Sequence, residues 1–283
     1  MKRTVLVGLI ALLPLAACGS HSKSTASPEQ PAAAVPTVPS AAAAPHATAT
    51  RSAAPKVATA PTKPLVVGFG DSVPAGGGGC NCINFVSAYA TDVGKTTGVK
   101  PGVDNFAVSG STSADFLDQL SDSSIKTAVG KATTILIMTG ANDYNDVFDQ
   151  VSLGASATKL YPPVADAVQD NVTTAIEKIQ KLNSTAHIVL LDYWASMEDG
   201  KVAEKDYDAT AMAASIACTA STNNALALAA QTTGATYVST YTAFKGSNGS
   251  KDDTALLQPD GDHPDPQGHQ VIAQAIAAVY PRG

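Results

Sequence analysis

The sequence predicts an α/β domain built as a three-layer α/β/α sandwich, a parallel sheet with helices on both faces. Three observations carry that reading. Short apolar runs alternate with stretches of helical periodicity along the second half and middle of the chain. The runs are almost continuously apolar, as in strands buried on both faces, and parallel sheets are the architecture that buries both. Glycines follow the first three of them, Gly70, Gly110 and Gly140, where a chain must turn sharply out of a sheet.

Taken in order, Leu65 to Phe69 is the first strand, and a glycine-rich turn follows it. Phe85, Ala88, Tyr89 and Val93 then recur at helical spacing. Val103 to Val108 and Thr133 to Met138 read as the second and third strands. Val164 to Leu182 is a long amphipathic helix, with Val168, Val172, Ile176 and Ile179 along one face. Ile188 to Leu191 is the fourth strand, Asn224 to Thr232 a helix, and Ala235 to Ser239 the fifth strand. Gln267 to Tyr280 closes the domain as a helix that buries Val271, Ile272, Ala275, Ile276 and Val279.

The domain occupies residues 65–283 of a 283-residue chain. Residues 1–18 have a different character. Lys2 and Arg3 precede a short apolar run that ends in Leu15-Ala16-Ala17-Cys18. That run is short for a membrane span and fits an export signal. Its end resembles the lipobox of bacterial lipoproteins, which implies cleavage before Cys18 and lipid attachment to that residue. Two or more acyl chains on one residue make a stable membrane anchor. Residues 19–64 hold 14 Ala and 8 Pro and no Phe, Tyr or Trp. Prolines so spaced forbid a long helix, so the segment reads as a disordered tether. The chain carries a net charge of −6, and the domain alone, with 12 basic and 23 acidic residues, −11. That sign argues against a nucleic-acid partner and against direct adhesion to anionic lipid.

The strand ends concentrate reactive residues. Gly70-Asp71-Ser72-Val73 follows the first strand, Ser109-Gly110-Ser111 the second, and Gly140-Ala141-Asn142-Asp143 the third. Asp260-Gly261-Asp262-His263-Pro264 precedes the closing helix. Ligands of parallel sheets bind beyond the carboxyl ends of the strands, so the four segments can meet at one rim. Together they suit acyl transfer. Serine needs a base to attack, which His263 can supply to Ser72 before returning the proton to a leaving alcohol. Asp260 can hold the other ring nitrogen, and the three-residue spacing favours it over the nearby Asp262. The N–H groups of Ser72 and Gly110 and the Asn142 amide can receive the oxyanion.

These four blocks, in this order, resemble those of the SGNH hydrolases, also called GDSL esterases/lipases. Val73 stands where the family motif has Leu. The resemblance spans roughly residues 65–283 and implies a flavodoxin-like fold with a five-stranded parallel sheet. It also implies Ser72, Asp260 and His263 as catalytic residues, Ser72, Gly110 and Asn142 as the oxyanion hole, an ester substrate, and neither metal nor cofactor. With the lipobox it gives an exported, lipid-anchored serine esterase. Transfer of the acyl group to an envelope acceptor, or a non-catalytic binding lipoprotein, are the rival readings. The serine does not fit the Gly-x-Ser-x-Gly elbow of α/β-hydrolases, and the resemblance places it on a loop after the first strand.

Other residues have plainer roles. Asp71 and Asp143 are expected to fix loops, His269 to pack or cap its helix, and His187 to be structural. The Pro74–Gly79 segment lacks the Gly-Lys-Ser/Thr end of a P-loop and reads as a loop flanking the site. Trp194 and Tyr144 suit either a pocket or the core. With Cys18 lipidated, export favours a disulfide among Cys80, Cys82 and Cys218, and the expectation is that Cys218 pairs with one of the other two.

Overall fold

The computed structural model describes residues 63–279. The expected export signal, its Cys18 and nearly all of the tether lie outside the described residues. Five strands form one sheet: β1 (Leu65–Gly70), β2 (Gly102–Asn105), β3 (Thr134–Met138), β4 (His187–Leu191) and β5 (Thr236–Val238). Their order is β2-β1-β3-β4-β5, and every pairing is parallel. From β1 the chain steps outward to β2, then returns to β3 on the other side of β1. The carboxyl ends of β1 and β3 therefore flank the switch point, where such sheets bind ligands.

The helices are α1 (Ser72–Ala75), α2 (Phe85–Thr97), α3 (Ser113–Gln119), α4 (Ser123–Lys131), α5 (Asn145–Ser152), α6 (Ala157–Leu182), α7 (Gly200–Asp206), α8 (Ala209–Thr233), α9 (Thr240–Lys245) and α10 (Pro266–Val279). One layer packs α10 on α2 and α9, and the other packs α6 on α8, α3, α4 and α5. Between them Val66, Val67, Phe69, Ile135, Leu136, Ile137, Val189, Leu190 and Leu191 are buried. Burial of each such side chain favours folding by about 1.5–3 kcal/mol, which the chain's ordering entropy largely offsets.

Four strands and the closing helix fall close to where the sequence puts them, but β2 ends at Asn105, short of the expected Val108, and Val108 and Val279 are exposed, Val279 because the last turn of α10 runs past the core. Two helices are longer. α6 starts seven residues before the expected Val164, because Pro162 and Pro163 sit inside it. Both prolines are exposed, as are Thr158 and Lys159 one turn earlier, so the carbonyls that lose their intrahelical donors face water. α8 starts at Ala209 rather than near Asn224. Its first half is mostly Ala, Ser and Thr, and its largest aliphatic residue, Ile216, is exposed, which gives no stripe to read; Asp208 caps it by accepting from Thr210 N and Ala211 N.

Candidate active site

The end of β1 sets the geometry. Gly70 has φ +129°, and a Cβ there would lie 1.7 Å from the Met138 carbonyl oxygen. Only glycine allows that approach, which lets Asp71 N donate to the same carbonyl at 3.2 Å. Asp71 then caps α1, its Oδ1 accepting from Val73 N at 3.1 Å. Its Oδ2 accepts from the Tyr193 hydroxyl. Ser72 is therefore the first residue of a one-turn helix, not part of a loop. Burial pushes the Asp71 carboxyl up to about 6 against the pull of those hydrogen bonds, and burial and the carboxylate beside it push the Tyr193 hydroxyl well above its ordinary range.

The segment before α10 is folded on itself. Gln258 N donates to the His263 carbonyl at 2.8 Å, and Leu257 pairs with Pro264 across an antiparallel bridge. Asp260 Oδ1 accepts from the backbone N–H of Asp262 at 3.0 Å and of His263 at 3.1 Å. Asp260 Oδ2 lies 2.9 Å from His263 Nδ1, whereas Asp262 Oδ2 lies 3.6 Å from it. Partial burial works to raise the Asp260 carboxyl, but the donors of His263 and Asp262 outweigh it and hold it below its ordinary value. Asp262 lacks those donors, and partial burial raises its carboxyl.

Ser72, Asn142, Asp260 and His263 line one cavity of about 350 Å³. Asn142 Nδ2 donates to the Ser111 carbonyl at 3.0 Å, which ties the β3 end to the turn after β2. Gly110 is not brought into this cavity. At φ +82° it lines an adjoining cleft with Val108, Ser109 and Ser111. Asp143 acts as the sequence suggests, accepting from Ser113 N at 2.8 Å and from the Ser113 hydroxyl at 2.6 Å. The Pro74–Gly79 segment packs directly on the site. A Cβ at Gly77 would lie 2.8 Å from Ser72 Cβ, and one at Gly78 2.6 Å from His263 Cβ and Cγ. Gln258 Nε2 clamps the two loops, donating to the Gly77 and Pro264 carbonyls at 3.0 Å each.

Sequence reading missed the far wall of the cavity, Tyr193, Ser196, Met197, Glu198 and Tyr207. The available signal was position, since the segment directly follows β4. No lysine or arginine lines the cavity, and Asp71, Glu198, Asp260 and Asp262 do. Partial burial, then the charges of Asp206, Asp262 and Asp260, raise the Glu198 carboxyl. Trp194 and Tyr144 are core residues instead. Trp194 stacks on Phe244 with ring centroids 4.5 Å apart, and Tyr144 meets Tyr161 edge-on at 5.5 Å. His187 begins β4. His269 is buried against Phe85, and burial draws its imidazole down to about 4.

The cysteine expectation is corrected. Cys80 is bonded to Cys82, and Cys218 is free and buried on α8. α8 packs in the layer of α6, whereas His269, beside the Cys80–Cys82 pair, belongs to α10 in the opposite layer. A disulfide needs Cα atoms within about 7 Å, so the sheet separates Cys218 from both partners. Burial pushes its thiol up to about 12, which leaves it inert at neutral pH.

A parallel five-stranded sheet with a serine after β1, an asparagine after β3 and an Asp–His pair before the last helix defines a class of ester hydrolases. The chain belongs to one family of that class, the GDSL-like lipase/acylhydrolase family, which it matches over residues 69–271. It is a GDSL-type esterase/lipase hydrolase. The curated proteins contain no match to its sequence. Its fold is similar to that of the lipase Lip_vut3 from goat rumen metagenome, at 21% identity and TM-score 0.63, over 78% of this chain and 99% of that one. It is also similar to an acetylxylan esterase, Axe2, from Geobacillus stearothermophilus, at 19% identity and TM-score 0.54, over 76% and 93%.

Proposed function

We propose that the chain is an exported, lipid-anchored serine esterase that cleaves carboxylic esters through an acyl-enzyme on Ser72. The observation that carries this reading is the Asp260–His263 pair beside Ser72 in one cavity. With Nδ1 engaged by Asp260, His263 keeps Nε2 for the serine. Nε2 takes the Ser72 proton as Oγ bonds to the acyl carbon, and the carbonyl π electrons move to oxygen. The Asn142 amide and the Ser72 N–H, both on this cavity, receive that oxyanion. As it collapses, the alkoxy group leaves with the His263 proton. Water then repeats the sequence and frees the carboxylic acid and Ser72.

The cavity's polar, acidic lining favours a short acyl group on a polyhydroxylated alcohol over a long aliphatic chain, which needs an apolar wall. Hydrolysis of p-nitrophenyl esters from acetyl to palmitoyl, by the full chain and its Ser72→Ala variant, tests both points. The expected result is serine-dependent turnover that declines with chain length, and fluorophosphonate labelling of the wild type alone. Undiminished turnover in a folded Ser72→Ala protein overturns the mechanism. The anchor is tested separately: Cys18→Ser should move the protein from the membrane fraction to the soluble one.

A further inference from the structure

The geometry points to a site for a thiophilic divalent cation, Zn2+ being the best match, formed by Cys80, Cys82 and His269 when the Cys80–Cys82 bond is reduced. A ligand atom from each of the three lies within 4.8 Å of the other two. That compactness suits a tetrahedral ion, with sulfur at about 2.3 Å and imidazole nitrogen at about 2.0–2.1 Å from zinc. The second observation is independent of the cysteines. His269 is 1% exposed, yet neither Nδ1 nor Nε2 has a hydrogen-bond partner among the described residues. Buried ring nitrogens normally have a partner, and neutral imidazole is the commonest metal ligand, so an ion shared with the two sulfurs accounts for the orphaned ring.

Cys80 and Cys82 are half-buried, and Asn81 between them is exposed, so both reductant and ion can reach the pair. A dithiol reductant gives two electrons and two protons to the Cys80–Cys82 bond and leaves as its own cyclic disulfide. Zinc then takes the place of the two thiol protons, which pass to solvent, and accepts the His269 lone pair, with water in the fourth position. The loop that carries Gly77 and Gly78 over Ser72 and His263 is thereby tied to α10 by the ion. The cation fastens that loop in the reduced protein, where the disulfide shapes it in the oxidised one.

The test uses the full chain with Cys18→Ser, reduced with dithiothreitol, desalted without oxygen and titrated with Co2+ alone. One equivalent should bind, with near-ultraviolet thiolate-to-cobalt absorption that Zn2+ abolishes, and the oxidised chain should give none. His269→Gln should weaken binding by roughly tenfold or more. Cys82→Ser, at a half-buried position that a folded protein tolerates, should remove the absorption. Zn2+ should raise the Tm of the reduced chain and leave that of Cys82→Ser unchanged. Absence of the thiolate band in the reduced chain overturns the proposal. So does a Co2+ affinity that is the same in folded His269→Gln or in Cys82→Ser.

Discussion

At the scale of single residues, Asp71 ties stability to the site. It is buried, it bonds to Tyr193 and caps the helix that starts at Ser72. Its carboxyl titrates near 6 in the fold and near 3.8 in the unfolded chain. Between those values the folded state holds the extra proton, so its stability falls as pH rises through the window and levels off above it. The full difference is worth about 3 kcal/mol. Asp71→Asn removes this titration, so wild-type stability relative to the variant should decline from about pH 4 to pH 6, as denaturant melts read it. A flat difference would mean that Asp71 is ionised throughout. Asn142→Ala should lower kcat by about 10²–10³-fold if its amide meets the oxyanion. A rate equal to wild type would remove Asn142 from the mechanism.

At the scale of elements, the segment between α1 and α2 is a template for the histidine rather than a loose flap. Gly78 has φ +73°, a conformation that side chains other than glycine's rarely adopt, and its Cα faces His263. Gly78→Ala should therefore displace His263 and lower kcat with a much smaller change in KM, while Gly79→Ala, with open space around it, should act only through its backbone strain. Equal kcat for the two variants would show that contact with His263 is irrelevant. In α6, Pro162→Ala should stabilise the protein by about 1–2 kcal/mol, since alanine restores a hydrogen bond and the lost rigidity of the unfolded chain offsets only part of that gain. A lower Tm for the variant would mean that the proline ring packs on something the exposed helix face does not suggest.

At the scale of the whole molecule, the sheet divides the chain's chemistry. It keeps Cys218 on one side and the Cys80–Cys82 pair on the other, and the pair is only two residues apart. A bridge that closes so short a loop constrains the unfolded chain by only about 1.6 kcal/mol on the loop-entropy account. Reduction in the presence of a chelator should accordingly lower Tm by roughly 3–6 °C. A collapse of the fold on reduction would show that the disulfide does more than close its own loop. The topological switch between β1 and β3 likewise decides where chemistry can occur, because it opens the crevice that Ser72, Asn142 and His263 share.

The sequence by itself determined four of the five strands to within a residue or so, the closing helix, and one side of the cavity, Ser72, Asn142, Asp260 and His263. Buried parallel strands must be apolar along their whole length, and reactive groups at their ends stand out against them. The long helices were legible only where one face is apolar: Val168 to Ile179 announced the second half of α6, while the Ala/Ser/Thr surface of α8 announced nothing. Tertiary structure alone decided what depends on side-chain direction and on the layer each element joins. It turned Tyr193 toward Asp71 and Trp194 into the core, set Gly110 in the adjoining cleft, and chose Cys82 over Cys218 as the partner of Cys80. Pattern records burial, and burial has no direction in one dimension. Which layer holds Cys218, and which wall a cavity receives, follow from crossovers that place residues as far apart as Asp71 and Tyr193 side by side.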